Sequence, residues 1–304
     1  MELLVALVAG LIAGYLIQLS DAWINRLNQT IFVSLAVLMV ALGAKIGADP
    51  EVLANLGTLG FQSLLLTFLC IGGSVGAVLL IEWRWLRGFD NGDSISTAEA
   101  GNPFQLAVWI GGLLLAGVAV GFLLLEPRHL PLLGNLVTMA LCLFLFVVGV
   151  DLARQTHIWR EIRKMGLIVA LIPFGVLAGG MLGALVGSIF LDITVPIALA
   201  TGASSGFYSY AGVFIAERVG AQAGTIAFLT NFFRELLSFF IIPILGSKLK
   251  GRLAVMAPGG ATTMDTTLPV ITQTLGSGVA AIALINGAIV SLLVPIVVPL
   301  LLQL

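Results

Sequence analysis

The chain has 304 residues, 59% of them hydrophobic and 10% charged, with a net charge of −1 and a mean hydropathy of +1.12. A soluble domain of this size cannot cover so much apolar surface, so lipid must solvate much of it. The near-neutral balance argues against a nucleic-acid partner.

The first stretch, "MELLVALVAGLIAGYLI", lacks a basic lead and a clean cleavage site, so it reads as a retained span rather than a signal peptide. A helix needs about 20 apolar residues to cross the hydrocarbon. Residues 3–19, 30–47, 60–82, 104–125, 135–151 and 166–190 meet or approach that, and so do 221–245 and 279–303. Two broken segments, 194–218 and 257–276, precede these last two spans. The prediction is an all-α polytopic membrane protein with about eight transmembrane helices and two re-entrant or broken-helix segments. A flexible linker from Glu82 to Pro103, with "RGFDNGDSISTAEAGNP", divides it into an N-terminal three-span unit, 1–103, and a second unit with a core, 104–304.

The two units echo each other. "GLIAGYLI" at Gly10 matches "GVAVGFLL" at Gly117, and "LAVLMVALGAKI" at Leu35 matches "LCLFLFVVGVDL" at Leu141, with Gly43 and Gly149 in register. Three spans per unit place the second copy upside down, and inverted repeats of this kind mark transporters. Basic residues are retained on the cytoplasmic side. With the N-terminus outside, Arg26, Arg84, Arg87, Arg154, Arg160, Arg163 and Lys164 lie inside. Lys248, Lys250 and Arg252 join them only if 194–218 dips in from outside and returns. The segment 257–276 then enters from the cytoplasm, and both termini are outside. A pair of crossing discontinuous helices is the rival arrangement.

Irregular backbone is tolerated in a bilayer only where protein or a water-filled cavity satisfies it. In the first broken segment Thr194 is a candidate N-cap and Pro196 sits in the first turn. "TGASSG", Thr201 to Gly206, then interrupts the helix and offers Ser204 and Ser205; Tyr208 and Tyr210 follow as either interface anchors or substrate contacts. In the second, Gly259 and Gly260 break the chain, Thr262 and Thr263 follow, and Asp265 or Thr266 can cap a helix with Pro269 in its first turn. Such a helix N-terminus suits a substrate carboxylate. Close packing of small residues is the bland explanation for both clusters.

"TNFFRELLSFF" puts Arg234 and Glu235 near the middle of a span, with Asn231 one turn before Glu235 on its face. A charge there costs about 3 kcal/mol and faces a cavity or a partner. Glu235 is the candidate for a proton or an ammonium group, unless it belongs to an internal ion pair involving Asp265. Arg234 balances Glu235 or Asp265, or meets a carboxylate. Lys45 is expected to snorkel outward and Asp151 to neutralise a basic loop. Asp49 and Glu51 are weaker candidates for recruiting cations at the outer end of the second span. His129 and His157 lie in distant loops and give no support for a metal site, and no cofactor is implied. Cys70 and Cys142 sit alone in separate apolar runs and read as core thiols.

"GFYSYAGV", "NFFREL" and "GGATTMDTTLPVI" resemble the signature stretches of the bacterial lysine exporter family, LysO, over roughly residues 104–304, with a looser likeness before that. The resemblance implies an inner-membrane exporter of L-lysine driven by cation exchange, in which Glu235 matters. The chain departs from the expected pattern at Phe207, Tyr210 and Thr263. The residues themselves ask for the same chemistry: Glu235 and Asp265 for ammonium groups, helix N-termini or Arg234 for a carboxylate. Alternatives are a cation/proton antiporter, a carrier of another small amino or organic acid, and an intramembrane protease. The protease lacks paired aspartates in a shared context. The coupling ion, proton or sodium, stays open, as does a homodimer, for which no residue speaks.

Overall fold

The computed structural model describes residues 2–16, 21–48, 50–85, 103–154 and 167–304. Asp49 and most of the linker therefore lie outside the described residues, as do the side chains of Glu51 and Asp151. Within them the chain is helical, with no strand: α1 (Glu2–Leu16), α2 (Asp21–Gly47), α3 (Pro50–Trp85), α4 (Pro103–Leu124), α5 (Leu130–Arg154), α6 (Leu167–Phe190), α7 (Val195–Ala203), α8 (Tyr208–Val219), α9 (Ala221–Lys248), a 3-10 segment (Leu253–Met264), α10 (Leu268–Leu275) and α11 (Ala280–Leu301). Long runs of Leu, Val, Ala and Phe have no other way to satisfy their backbone in lipid. Pro50 and Pro103 open α3 and α4, where a missing N–H is harmless. Four helical stretches among the described residues are long and apolar enough to cross a membrane: Leu59–Arg84, Val169–Phe190, Ala221–Lys248 and Ser277–Leu301.

Apolar side chains cover the outside, and a set of polar side chains is buried within an otherwise apolar interior. Leu115, Phe122, Leu136, Leu182, Ile189 and Leu292 stand exposed on the outer helix faces, a patch no water-soluble monomer carries. Buried positions instead include Ser63, Thr67, Ser74, Glu82, Thr201, Asn231, Arg234, Glu235, Thr263 and Asn286. These line the contacts among α3, α7, α9, the 3-10 segment and α11.

Helix directions follow from paired contacts. On α3 and α6, Gly73 meets Gly179 and Leu69 meets Gly183, so the two run antiparallel. On α3 and α9, Thr67 donates to the Thr230 carbonyl at 2.9 Å and Arg234 donates to Ser74 Oγ at 3.0 Å, so these run parallel. It follows that α6 ends and α9 begins at one end of the bundle. Between them α7 runs inward until Gly202 packs on Gly180, halfway along α6. α8 then returns along α9, with Gly212 on Phe228 and Ala216 on Gly224. The 3-10 segment enters from the other end. There the Glu82 carboxylate, at the end of α3, accepts from the N–H groups of Leu253 and Ala254 at 2.7 and 3.3 Å. α10 turns back to that same end, where Thr274 lies against Gly246. Glu82 is thus not the first residue of a loop, as the sequence suggests, but a buried side chain in a helix that continues to Trp85.

The N-terminal helices interlock through glycines. Gly10 and Gly14 of α1 abut the backbone at Phe146 and Val150 of α5. Gly117 and Gly121 of α4 abut the backbone at Val40 and Ala44 of α2. At each the neighbouring carbonyl occupies the space a Cβ would need.

Candidate functional site

The tips of the two hairpins touch. The Ala261 N–H donates to the Ser205 carbonyl at 2.8 Å. Reaching this contact requires left-handed backbone: Ser205 has φ +46°, Gly206 +95° and Gly260 +57°. Gly260 lies so close to the Ser205 carbonyl that no side chain fits. Each tip is held by an asparagine from the helix that follows it. Asn231 Oδ1 accepts the Gly206 N–H at 2.7 Å, and its Nδ2 donates to the carbonyls of Thr201 (3.1 Å) and Ala227 (2.9 Å). Asn286 Nδ2 donates to the Gly260 carbonyl at 3.1 Å and to Thr263 Oγ1 at 3.0 Å. The predicted hydroxyls serve the loops themselves. Ser204 donates to Ala200, Thr262 to Gly259, and Thr263 to Gly260 and Ala283, all to carbonyls at 2.8–2.9 Å.

Arg234 clamps both tips. Its Nε donates to the Pro258 carbonyl at 2.9 Å, and one Nη donates to the Ala257 carbonyl and to Ser74 Oγ, both at 3.0 Å. The other Nη lies 3.5 Å from Ser205 Oγ. Among the described residues it pairs with neither Glu235 nor Asp265, contrary to the first two roles that the sequence suggests for it. The break around Gly260 leaves carbonyls without helical partners, and a planar fork of five donors can reach several at once.

Glu235 is one residue further along α9, about 100° round the helix, and faces elsewhere. It lies on a cavity of about 150 Å³, walled by Tyr208 of α8, Phe228, Phe232 and Leu236 of α9, and Leu42, Lys45 and Ile46 of α2. The three rings form one assembly. Phe228 and Phe232 stack at 5.8 Å, and Tyr208 meets them edge-on at 5.5 and 5.7 Å. The Tyr208 ring and the Glu235 carboxyl line this one cavity. Asp265 Oδ1 accepts the Thr266 N–H at 2.6 Å, with the Thr266 hydroxyl at 3.5 Å. Thr266 is thus held by the Asp265 carboxyl. Asp265 and Thr266 do not cap α10; its N-cap is Thr267 and makes no side-chain capping bond. Tyr210 stacks on Phe214 at 5.2 Å and does not line the cavity. Asn231 shares a helix with Glu235 but is engaged with the first tip.

A family model for the lysine exporter LysO matches residues 4–99 and 112–302. The chain belongs to the LysO family. This is a family of transporters, not of enzymes. Over 302 residues, 97% of each chain, it is 29% identical to the lysine exporter LysO of Escherichia coli (strain K12). It is 31% identical over 185 residues to a putative lysine exporter of Haemophilus influenzae, covering 60% of this chain and 91% of that one. No solved structure matches it.

In this LysO-family chain, Asn286 and Ser74 have no role in the sequence reading, which places Glu82 at the start of a linker and sends Lys45 outward. Asn286 had a visible signal, as a lone amide in the apolar run "ALINGAIV". Ser74 and Glu82 had none, because their partners lie 160 and 171 residues away. Lys45 is exposed but lines the same cavity as Glu235 instead of only reaching outward.

Proposed function

We propose that this chain is a secondary active transporter of the bacterial inner membrane that exports L-lysine or a close cationic amino acid in exchange for protons or another cation. The observation that carries this is the Glu235 carboxyl facing a cavity with three aromatic walls. An ammonium group is stabilised by a carboxylate and by ring faces together, by about 2 kcal/mol for a desolvated cation over a ring. Tyr208 adds a hydroxyl to the cavity, Asp265 and Thr266 are carried over as site residues from the sequence reading, and the loop hydroxyls and Asn231 shape the tips. The names of the two relatives, a lysine exporter and a putative lysine exporter, agree with this substrate.

The coupling follows from competition. A proton and a substrate ammonium group cannot both neutralise Glu235, so loading one releases the other. Proteoliposomes loaded with radiolabelled lysine test this. Glu235→Gln should reduce exchange against an imposed proton gradient about a hundredfold, as expected for loss of an essential charged contact. Full lysine/proton exchange by that variant would rule the reading out. Saturable flux of arginine or ornithine without lysine would move the substrate within the cationic class, and sodium-driven flux would change the ion.

In the membrane we read eight spans, with residues 194–218 and 257–276 as hairpins entering from opposite faces. The directions of α3, α6 and α9 support this, because α6 ends where α9 begins. The inverted repeat has support in the glycine contacts. Exchanging the two units carries Gly10 on Phe146 into Gly117 on Val40, and Gly14 on Val150 into Gly121 on Ala44. The contact of Gly73 with Gly179 maps onto itself, and α3 and α6 are antiparallel there. A two-fold axis in the membrane plane produces that pattern.

A further inference from the structure

We propose that Lys45 is the counter-ion for the carboxylate of the transported amino acid, so that the cavity binds a zwitterion from end to end. This rests on reading the Glu235 cavity as the substrate site. The groups the sequence offered for a carboxylate are engaged or displaced. The Arg234 guanidinium is bound to the Ala257 and Pro258 carbonyls and to Ser74. α10 begins behind Thr267, which is buried and accepts from Thr262 Oγ1 at 3.2 Å. Lys45, by contrast, lines the cavity itself. Among the described residues it is in no ion pair. A cation and a carboxylate thus share one cavity without forming an ion pair, and Phe228, Phe232, Leu42 and Ile46 line it with them.

The lining groups offer a partner for each part of lysine. The ε-ammonium meets Glu235 against the rings, the methylenes lie along Phe228 and Phe232, and the carboxylate meets Lys45, whose exposed side chain marks the open side. The arrangement also selects against the wrong ligand. A diamine of the same length has no carboxylate and would bring a second cation to Lys45, which repels it. Lys45 therefore separates amino acids from polyamines, a distinction Glu235 alone cannot make.

Binding of L-lysine and cadaverine to the purified full chain, measured calorimetrically in detergent, tests this. Lys45→Met should weaken lysine by about tenfold or more, as loss of a charge-assisted contact does, and should bind cadaverine more tightly than the unmodified chain. Lys45→Arg should keep lysine within about threefold, since the charge remains, and it shows that the position tolerates exchange. Lysine binding unchanged in Lys45→Met overturns the assignment. Tightened lysine binding overturns it too, because Lys45 would then be a tethered competitor for Glu235. Loss of lysine without gain of cadaverine marks general damage to the cavity and also overturns it. Glu235→Gln separates the two levels: if it still binds lysine normally, the cavity is not the substrate site and both readings fall.

Discussion

Arg234 and Glu235 show how two neighbouring charges in one span divide the work. The guanidinium replaces missing backbone donors at the hairpin junction, and the carboxyl faces the cavity. Arg234→Lys keeps the charge but not the fork, so a single ammonium cannot reach Pro258, Ala257 and Ser74 together. A loss of about 2–3 kcal/mol is expected, read as a melting temperature several degrees lower in detergent, with Arg234→Ala lower still. Asn231→Asp retains the acceptor for the Gly206 N–H but loses the two donors, and it places a second buried carboxylate near Glu235. Lower stability than for Asn231→Ala at neutral pH, recovering on acidification, is the expected outcome. The sequence made Glu235 legible because an acid in the middle of an apolar run has few explanations. It left the roles of Arg234 and Asn231 open, because their partners are carbonyls and N–H groups, which every residue carries.

The hairpins are the elements whose chemistry was most visible beforehand. Gly, Ser, Thr and Pro clusters interrupt otherwise apolar stretches, and the left-handed residues at the tips, Ser205, Gly206 and Gly260, fall within those clusters. What could not be read was how the tips meet, since register between segments some 55 residues apart is set by packing. Gly260→Ala tests that junction. It adds a Cβ at φ +57° and drives it onto the Ser205 carbonyl, so the Ala261 to Ser205 hydrogen bond cannot survive unchanged. About 2 kcal/mol or more of destabilisation is expected from backbone and contact together, with lysine exchange reduced in proteoliposomes. Gly220→Ala, at φ +117° with open space around it, should cost stability without disturbing the junction. Glu82 anchors the entry of the second hairpin by accepting from two N–H groups. Glu82→Ala removes both acceptors from buried donors, and faster amide hydrogen exchange at Leu253 and Ala254 should report it.

At the scale of the whole molecule, composition settled the solvent, and the basic residues proposed an orientation. Single cysteines in a background lacking Cys70 and Cys142 check it with an impermeant thiol reagent on intact cells. Positions 220 and 303 should label from outside, and positions 250 and 276 only after the membrane is opened. Labelling of 250 in intact cells would replace the hairpins with crossing helices. The clamp at the hairpin junction carries one further implication. Arg234 holds a buried positive charge that no carboxylate among the described residues pairs with. In such surroundings a fixed cation raises the energy of any free ion of like sign nearby. Stray protons and sodium are therefore turned away from the seam between the two tips. In an ion-coupled carrier, the residue that fastens the loops would double as an electrostatic seal at their junction.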